Sequence, residues 1–199
     1  MGVTALFGGT FNPFHIGHYE MLKALQNDDF VDEIWIMPDK IPPHKVCDFM
    51  AEDKVRIEMC NIAAKDFSKA KVCLIEFERE GKSYTFDTIS NLKKQYPSKD
   101  FAFVMGGDML VYFEKWYKHE ELIKMMSYIA FRRTDTDNFE FDSCVKKFTE
   151  KGMKIRVKNE NISDISSSEI RKDFLNLKKY LPKNIYKFLA ERGEYSGKD

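Results

Sequence analysis

The stretch VTALFGGTFNPFHIGH, from Val3 to His18, decides the fold of this chain. Residues 3–7 are continuously apolar, which is typical of a parallel strand buried on both faces. Gly8 and Gly9 end this run, and glycine allows a ligand to approach the backbone closely. Because a helix is predicted over 17–26, the segment combines a strand, a glycine-rich loop and a helix start. Such a segment presents backbone N–H groups and the positive end of the helix dipole to a phosphate.

The rest of the chain continues this alternation of short apolar runs and amphipathic segments. Five further strands are predicted, over 33–37, 71–77, 101–105, 128–131 and 153–157. Strands that alternate with helices imply right-handed crossovers and a parallel sheet. We therefore predict an α/β protein with a doubly wound, Rossmann-like parallel sheet. Ligands bind to such a sheet beyond the carboxyl ends of its strands, at the point where the strand order reverses.

Helices are predicted between the central strands. The segments 51–67 and 85–96 carry the apolar spacing of a helix. Gly106 and Gly107 end the fourth strand, and Asp108 is placed to cap the helix that follows. The strands that end in paired glycines are therefore the expected flanks of a ligand crevice.

A C-terminal helical segment is predicted over about 166–193. A capping box at 166–169 opens its first helix. Pro182 near the start and Gly193 past the end bracket its second helix. We expect these helices to pack on a single domain that spans residues 1–199.

Composition limits the class of protein. The chain has 199 residues, 43% of them apolar and 32% charged, which indicates a soluble globular protein. Lys plus Arg and Asp plus Glu both number 32, and this zero net charge argues against nonspecific binding to nucleic acid. No apolar stretch reaches about 18 residues and no basic leader precedes the first strand, so we expect no membrane partner and a cytoplasmic location. The sequence leaves a homo-oligomer open.

Cysteine spacing gives no framework for a disulfide or a structural metal. The four cysteines stand at 47, 60, 73 and 144, without a Cys-x-x-Cys pair and without a histidine spaced to complete a zinc site. We predict free thiols and no metal site formed by the protein.

His15 and His18 carry the densest chemical signal. Three residues apart on a first helical turn, they share a face and can both reach an anion held there. The alternative is a tight turn with two surface histidines. The Gly-x-Gly-x-x-Gly fingerprint of dinucleotide-binding folds is absent.

Other candidate residues allow two interpretations each. Lys45, in a proline-rich loop, is either a mobile cation for phosphate or a solvated lysine. The serines at 166–168 with Arg171 form either a second anion cradle or a capping box beside an incidental arginine. Trp116 and Tyr117 either stack on a flat ring or belong to the core, and Asp108 either binds a ribose or only caps its helix.

The His15-Ile16-Gly17-His18 string matches the H-x-G-H motif of the HIGH-type nucleotidyltransferases, and the chain resembles this superfamily. Further shared blocks extend over nearly the whole chain: MP at 37–38, IPPHK at 41–45, SYTFDT at 83–88, GGD at 106–108 with Phe113, WY at 116–117 and ISSSEIR at 165–171. Together they make the chain similar to the bacterial nicotinate mononucleotide adenylyltransferase family. The resemblance implies the nucleotidyltransferase version of the doubly wound fold.

The resemblance also implies a reaction, in which the adenylyl group of ATP passes to nicotinate mononucleotide. The products are nicotinic acid adenine dinucleotide and pyrophosphate, within NAD biosynthesis. ATP and nicotinate mononucleotide are then the partners, and Mg²⁺ arrives on the ATP phosphates and keeps several waters.

Site residues follow from the matched motifs. The implied catalytic residues are His15, His18, Lys45 and Arg171. The implied ATP-binding residues are Gly8, Gly9, Thr10, Phe11, His18, Gly106, Asp108, Ser166, Ser167, Ser168 and Arg171. The implied mononucleotide-binding residues are Lys45, Tyr84, Thr85, Trp116, Tyr117 and Arg133, with Arg132 as a neighbouring competitor for the role of Arg133.

The chain departs from the family pattern at Asn12, where Asp is common, and at Ser168, where Thr is usual. Asn keeps turn-type hydrogen bonds and Ser keeps the hydroxyl, so the expected activity class is unchanged. The alternatives are a sister nucleotidyltransferase that uses nicotinamide mononucleotide, phosphopantetheine or a cytidylyl acceptor, a non-catalytic nucleotide sensor, and an RNA-binding module derived from a HIGH-type synthetase.

Overall fold

One parallel sheet forms the centre of the molecule. The computed structural model describes residues 2–41, 49–78, 81–132 and 138–195. Its six strands are β1 (Val3–Gly9), β2 (Val31–Pro38), β3 (Ala70–Val72), β4 (Phe101–Gly106), β5 (Ser127–Phe131) and β6 (Lys154–Lys158). The strands are parallel and lie in the order β3-β2-β1-β4-β5-β6. The order therefore reverses between β1 and β4, the two strands that end in paired glycines.

Helices cover both faces of the sheet. In the described ranges they are α1 (Ile16–Gln26), α2 (Asp53–Ala64), α3 (Thr85–Gln95), α4 (Gly107–Val111), α5 (His119–Met125), α6 (Asn138–Glu150), α7 (Ser167–Lys172), α8 (Phe174–Leu177) and α9 (Lys183–Arg192). Along β1, Ala5 and Phe7 point into a core cluster that includes α1, α2 and α9, while Leu6 points into a second cluster that includes α3, α5 and α6. Because β1 is buried on both faces, its sequence is a continuous apolar run. Helices on both faces of a parallel sheet confirm the predicted doubly wound fold.

The predicted strand over 71–77 is too long. β3 ends at Val72, and a 3₁₀ helix follows over Ile75–Glu78. The last bond of the ladder runs from the Cys73 N–H to the Ile36 carbonyl, at 2.9 Å. Beyond it Leu74 is 40% exposed, whereas Ile75 is only 3% exposed and packs into the second core cluster. An apolar run can therefore satisfy burial without remaining in a strand.

Two helix predictions also need correction. Gly106, not Asp108, is the N-cap residue of α4, and Asp108 lies in the first turn of that helix. The first C-terminal helix is short, because Asp173 leaves helical geometry after Lys172 and its carboxylate caps α8 by accepting from the Asn176 N–H at 3.4 Å. The capping box at Ser166 and the Pro182 and Gly193 boundaries are confirmed.

Two further sequence expectations concern helices and thiols. Within the described ranges, every helix lacks the length or the apolar character that crossing a membrane requires. Cys60, Cys73 and Cys144 are free thiols, as predicted, while Cys47 lies outside the described residues.

Candidate active site

A cavity of about 610 Å³ opens at the carboxyl ends of β1 and β4. The predicted site residues within the described ranges all line it: Gly8, Gly9, Thr10, Phe11, His15, His18, Tyr84, Thr85, Gly106, Asp108, Trp116, Tyr117, Ser166, Ser167, Ser168 and Arg171. Lys45 and Arg133 lie outside the described residues. Arg132 pairs with Asp142 and donates to Asn159. The fold thus brings four separate segments of the chain to one crevice.

The two histidines stack on each other at the start of α1. His15 is the N-cap residue, and its ring centroid lies 3.6 Å from that of His18, with the planes 24° apart. The backbone N–H of His15 donates to Nδ1 of His18 at 3.2 Å. Because Nδ1 accepts this bond, the proton of a neutral His18 ring lies on Nε2. His18 therefore presents an N–H donor at the helix N-terminus, where an anion is favoured.

Gly17 lets the two histidines adopt this arrangement. A Cβ atom at residue 17 would lie 3.2 Å from Cε1 and Nδ1 of His15 and 3.1 Å from the Ser163 carbonyl oxygen. Ser163 is held there by Glu20, whose carboxylate accepts from the Ser163 N–H at 2.6 Å and from its hydroxyl at 2.9 Å. A side chain at residue 17 would therefore crowd His15 and the Ser163 carbonyl, and glycine avoids this crowding.

Hydrogen bonds connect helix α7 to the turn that precedes α1. Nη1 of Arg171 donates to the Asn12 carbonyl at 2.6 Å, and Nη2 donates to the Ser168 hydroxyl at 3.1 Å. The Ser167 hydroxyl donates to the Pro13 carbonyl at 2.8 Å. Arg171 is therefore not incidental to the capping box, because its guanidinium connects α7 to the glycine-rich turn at the cavity.

Aromatic rings also line the cavity. Trp116 is half-buried, with its ring 5.5 Å from that of Phe103 and 5.2 Å from that of Phe113. Tyr117 is 46% exposed and lies 5.0 Å from the Tyr84 ring. Trp116 thus contacts the core and also lines the cavity, so the structure combines the two interpretations left open by the sequence.

Several residues at the site were missed by the sequence analysis. Arg56 is fully buried in α2, and its Nη1 donates to the carbonyls of Thr10 at 3.0 Å and Asp39 at 2.7 Å. Its guanidinium therefore connects the residues that directly follow β1 and β2. In the sequence it is one cation within a predicted amphipathic helix, and no local pattern sets it apart.

A buried polar pair, Glu76 and Thr88, also lines the cavity. The Thr88 hydroxyl donates to the Glu76 carboxylate and also lies 3.1 Å from the Tyr84 carbonyl. Glu76 is 5% exposed and Thr88 is 2% exposed, and both line the cavity. The pair holds the first turn of α3 against the 3₁₀ helix. Glu76 escaped notice because it falls inside the overlong predicted strand, whereas Thr88 was part of the SYTFDT block without an assigned role.

The fold and the site together define a nucleotidyltransferase of the H-x-G-H class. A family model described as cytidylyltransferase-like matches residues 6–173. The nicotinate-nucleotide adenylyltransferase of Bacillus subtilis is 35% identical over 190 residues, which cover 96% of each chain. The probable nicotinate-nucleotide adenylyltransferase of Listeria welshimeri is 31% identical over 194 residues, 97% of each chain. The chain therefore belongs to the cytidylyltransferase-like family and, within it, to the nicotinate-nucleotide adenylyltransferases.

A solved structure has the same architecture. The nicotinic acid mononucleotide adenylyltransferase of Plasmodium falciparum, complexed with NaAD, superposes with a TM-score of 0.80. It is 25% identical in sequence, and the match covers 98% of each chain. The predicted family and the predicted nucleotidyltransferase fold are both confirmed.

Proposed function

We propose that this protein transfers the adenylyl group of ATP to nicotinate mononucleotide, forming nicotinic acid adenine dinucleotide and pyrophosphate as a step of NAD biosynthesis. The observation that carries the proposal is one cavity lined both by the glycine-rich turn with its two histidines and by the aromatic rings of Trp116 and Tyr117. The names of the two bacterial relatives support the same reaction.

The chemistry needs little beyond positioning and charge stabilisation. The 5′-phosphate of the mononucleotide is already an anion, so no general base is required. Its oxygen forms a bond to the α-phosphorus of ATP, while the bond from that phosphorus to the bridging oxygen breaks and pyrophosphate leaves. Hydrogen-bond donors that face the developing charge account for the rate gain.

The donors that we propose for the ATP phosphates come from α1 and α7. His15, His18 and the first N–H groups of α1 face the phosphates, and Arg171 adds a guanidinium from α7. Asp108 faces the cavity from the first turn of α4, where it can accept from a ribose hydroxyl. We expect ATP to enter as its Mg²⁺ complex, and Lys45 to contribute a further cation.

The aromatic side chains that line the cavity suit a flat, charged ring. We expect Trp116 to stack on the pyridine, and the backbone N–H groups at Thr85 and Tyr117 to bind its carboxylate. Thr85 is the first residue of α3, so its N–H lies at the positive end of a helix dipole. Arg133 stays a predicted contact to the mononucleotide. The cytoplasmic location and the lack of nucleic-acid and membrane partners also stay predictions.

The direct test is pyrophosphate release by the purified protein with Mg-ATP. Nicotinate mononucleotide, nicotinamide mononucleotide and phosphopantetheine are compared as acceptors, and we expect a strong preference for the first. Preference for nicotinamide mononucleotide would keep the triphosphate site and the stacking role of Trp116 but reject the carboxylate contacts at Thr85 and Tyr117. Preference for phosphopantetheine would reject the roles of Trp116 and Thr85 together. Binding of ATP without release with any acceptor would favour a nucleotide sensor.

Replacing Trp116 with alanine is expected to weaken mononucleotide binding by about 5-fold to 150-fold, since stacking contributes roughly 1–3 kcal/mol per base. ATP binding should remain as in the wild type. Titration calorimetry with each substrate measures both effects. Trp116→Phe is the matched control, because it keeps an aromatic face and should retain most of the affinity. Unchanged mononucleotide affinity in a folded Trp116→Ala variant would assign the ring to the core alone.

A further inference from the structure

The Asn12 side chain joins three parts of the chain beneath the phosphate-binding turn. It is 1% exposed. Its Oδ1 accepts from the Tyr195 hydroxyl at 2.6 Å and from the Ala51 N–H at 3.2 Å. Its Nδ2 donates to the Phe49 carbonyl at 2.9 Å. All three partners lie at least 37 residues away in the sequence.

The backbone of the same turn carries the contacts to α7. The Asn12 carbonyl accepts from Arg171, and the next carbonyl, of Pro13, accepts from Ser167. The side chain of Asn12 therefore sets the position of the peptide group that orients the Arg171 guanidinium. A displacement of this turn would move both Arg171 and the start of α1.

The Tyr195 hydroxyl donates to Asn12, and its ring packs between two other aromatic rings. Its ring is 9% exposed, stacks on Phe174 at 5.6 Å and meets the Phe49 ring edge-on at 5.5 Å. Burial, with a smaller contribution from the charge of Glu194, raises the pKa of the Tyr195 hydroxyl, which therefore remains a donor at neutral pH. Tyr195 is not among the residues that line the cavity, so its hydroxyl acts on the site through Asn12.

We propose that Tyr195 is a positioning residue for adenylyl transfer, whose hydroxyl fixes Asn12 and, through the turn at 12–13, orients Arg171 toward ATP. This inference rests on the proposed function, because its kinetic test measures adenylyl transfer. Asn suits this place because it accepts two bonds and donates one, whereas an ionised Asp would direct an oxygen at the Phe49 carbonyl. The departure from the family pattern at residue 12 thus matches the partners present in this chain.

The test is Tyr195→Phe, which removes one hydroxyl and leaves the ring to pack. We expect kcat/KM for ATP to fall about tenfold, the size expected for one buried hydrogen bond, while the KM for the mononucleotide stays within about twofold. The matched control is Tyr19→Phe, because that hydroxyl donates to Asp66 on the exposed surface at 3.1 Å. The control should leave both kinetic parameters unchanged.

A double-mutant cycle separates positioning from stability. Asn12→Ala should lower kcat/KM for ATP by more than Tyr195→Phe, and the double variant should be no worse than Asn12→Ala, because the hydroxyl then has no Asn12 to fix. Additive losses would overturn the inference. So would a Tyr195→Phe variant that melts at a lower temperature but has wild-type kinetics for ATP. Unchanged melting and unchanged ATP kinetics would overturn it too.

Binding of a non-hydrolysable ATP analogue distinguishes this inference from the proposed function. If the wild type releases no pyrophosphate, the proposed function fails, but weaker analogue binding in Tyr195→Phe than in Tyr19→Phe would still support the role of Tyr195 in orienting Arg171. Equal analogue binding in the two variants, together with equal ATP kinetics wherever turnover is measurable, would reject that role.

Discussion

Replacement of His18 by alanine is expected to lower turnover about 100-fold to 1,000-fold, with only a modest change in the KM for ATP. The ring accepts from the His15 N–H through Nδ1, so in the neutral ring Nε2 carries the proton and is the donor that we propose for the phosphate. Loss of a donor that acts mainly in the transition state costs roughly 3 kcal/mol. Single-turnover measurements with saturating Mg-ATP would isolate this step.

His119→Ala is the matched control for His18→Ala. His119 begins α5 and is not among the residues that line the cavity. Its backbone N–H donates to the Trp116 carbonyl at 3.2 Å, a bond that alanine at residue 119 would keep. We expect this control to turn over at the wild-type rate. Near-normal turnover of a folded His18→Ala variant would remove His18 from the mechanism.

Replacement of Arg171 by alanine is expected to lower kcat/KM for ATP by about 100-fold. The variant loses a cation at the phosphates and also the bond to the Asn12 carbonyl, and a hydrogen bond to a charged group contributes roughly 1.5–3 kcal/mol. Arg171→Lys should recover little, because an ammonium group lacks the planar fork that reaches Asn12 and Ser168 together. Steady-state kinetics with varied ATP measure both variants.

Arg192→Ala provides the control for the loss of one positive charge. Arg192 ends α9, and its side chain is 48% exposed. It should leave ATP kinetics unchanged. If Arg171→Lys matched the wild type, charge alone would account for the role of Arg171, and the geometry of its fork would be irrelevant.

The sheet was predictable because its signals are local. The apolar run at Val3 and the Gly8-Gly9 stop identify a buried strand and its ligand-facing end, and the alternation of strands and helices then implies the crossover topology. The prediction was wrong at 71–77, because an apolar run shows that a segment is buried but not how many residues pair with a neighbour. Only the structure shows that the ladder stops after Cys73.

The site residues also differ in whether local sequence signals predict them. His15 and His18 were predictable because three-residue spacing on a helix turn places them together. Arg56, Glu76 and Asn12 were not, because their partners come from distant parts of the chain. A fully buried arginine and a surface arginine look alike in a helical segment until the tertiary contacts are known.

The contacts between α7 and the Asn12–Pro13 turn also set an order of assembly. The last strand of the sheet ends at Lys158, but the groups that donate to the turn, Ser167 and Arg171, follow it in the chain. A nascent chain that has emerged from the ribosome as far as β6 would therefore contain the six strands described above but not Ser167 and Arg171, so the proposed ATP site would be incomplete. Nucleotide binding should begin late in synthesis, after the framework of the protein has already formed.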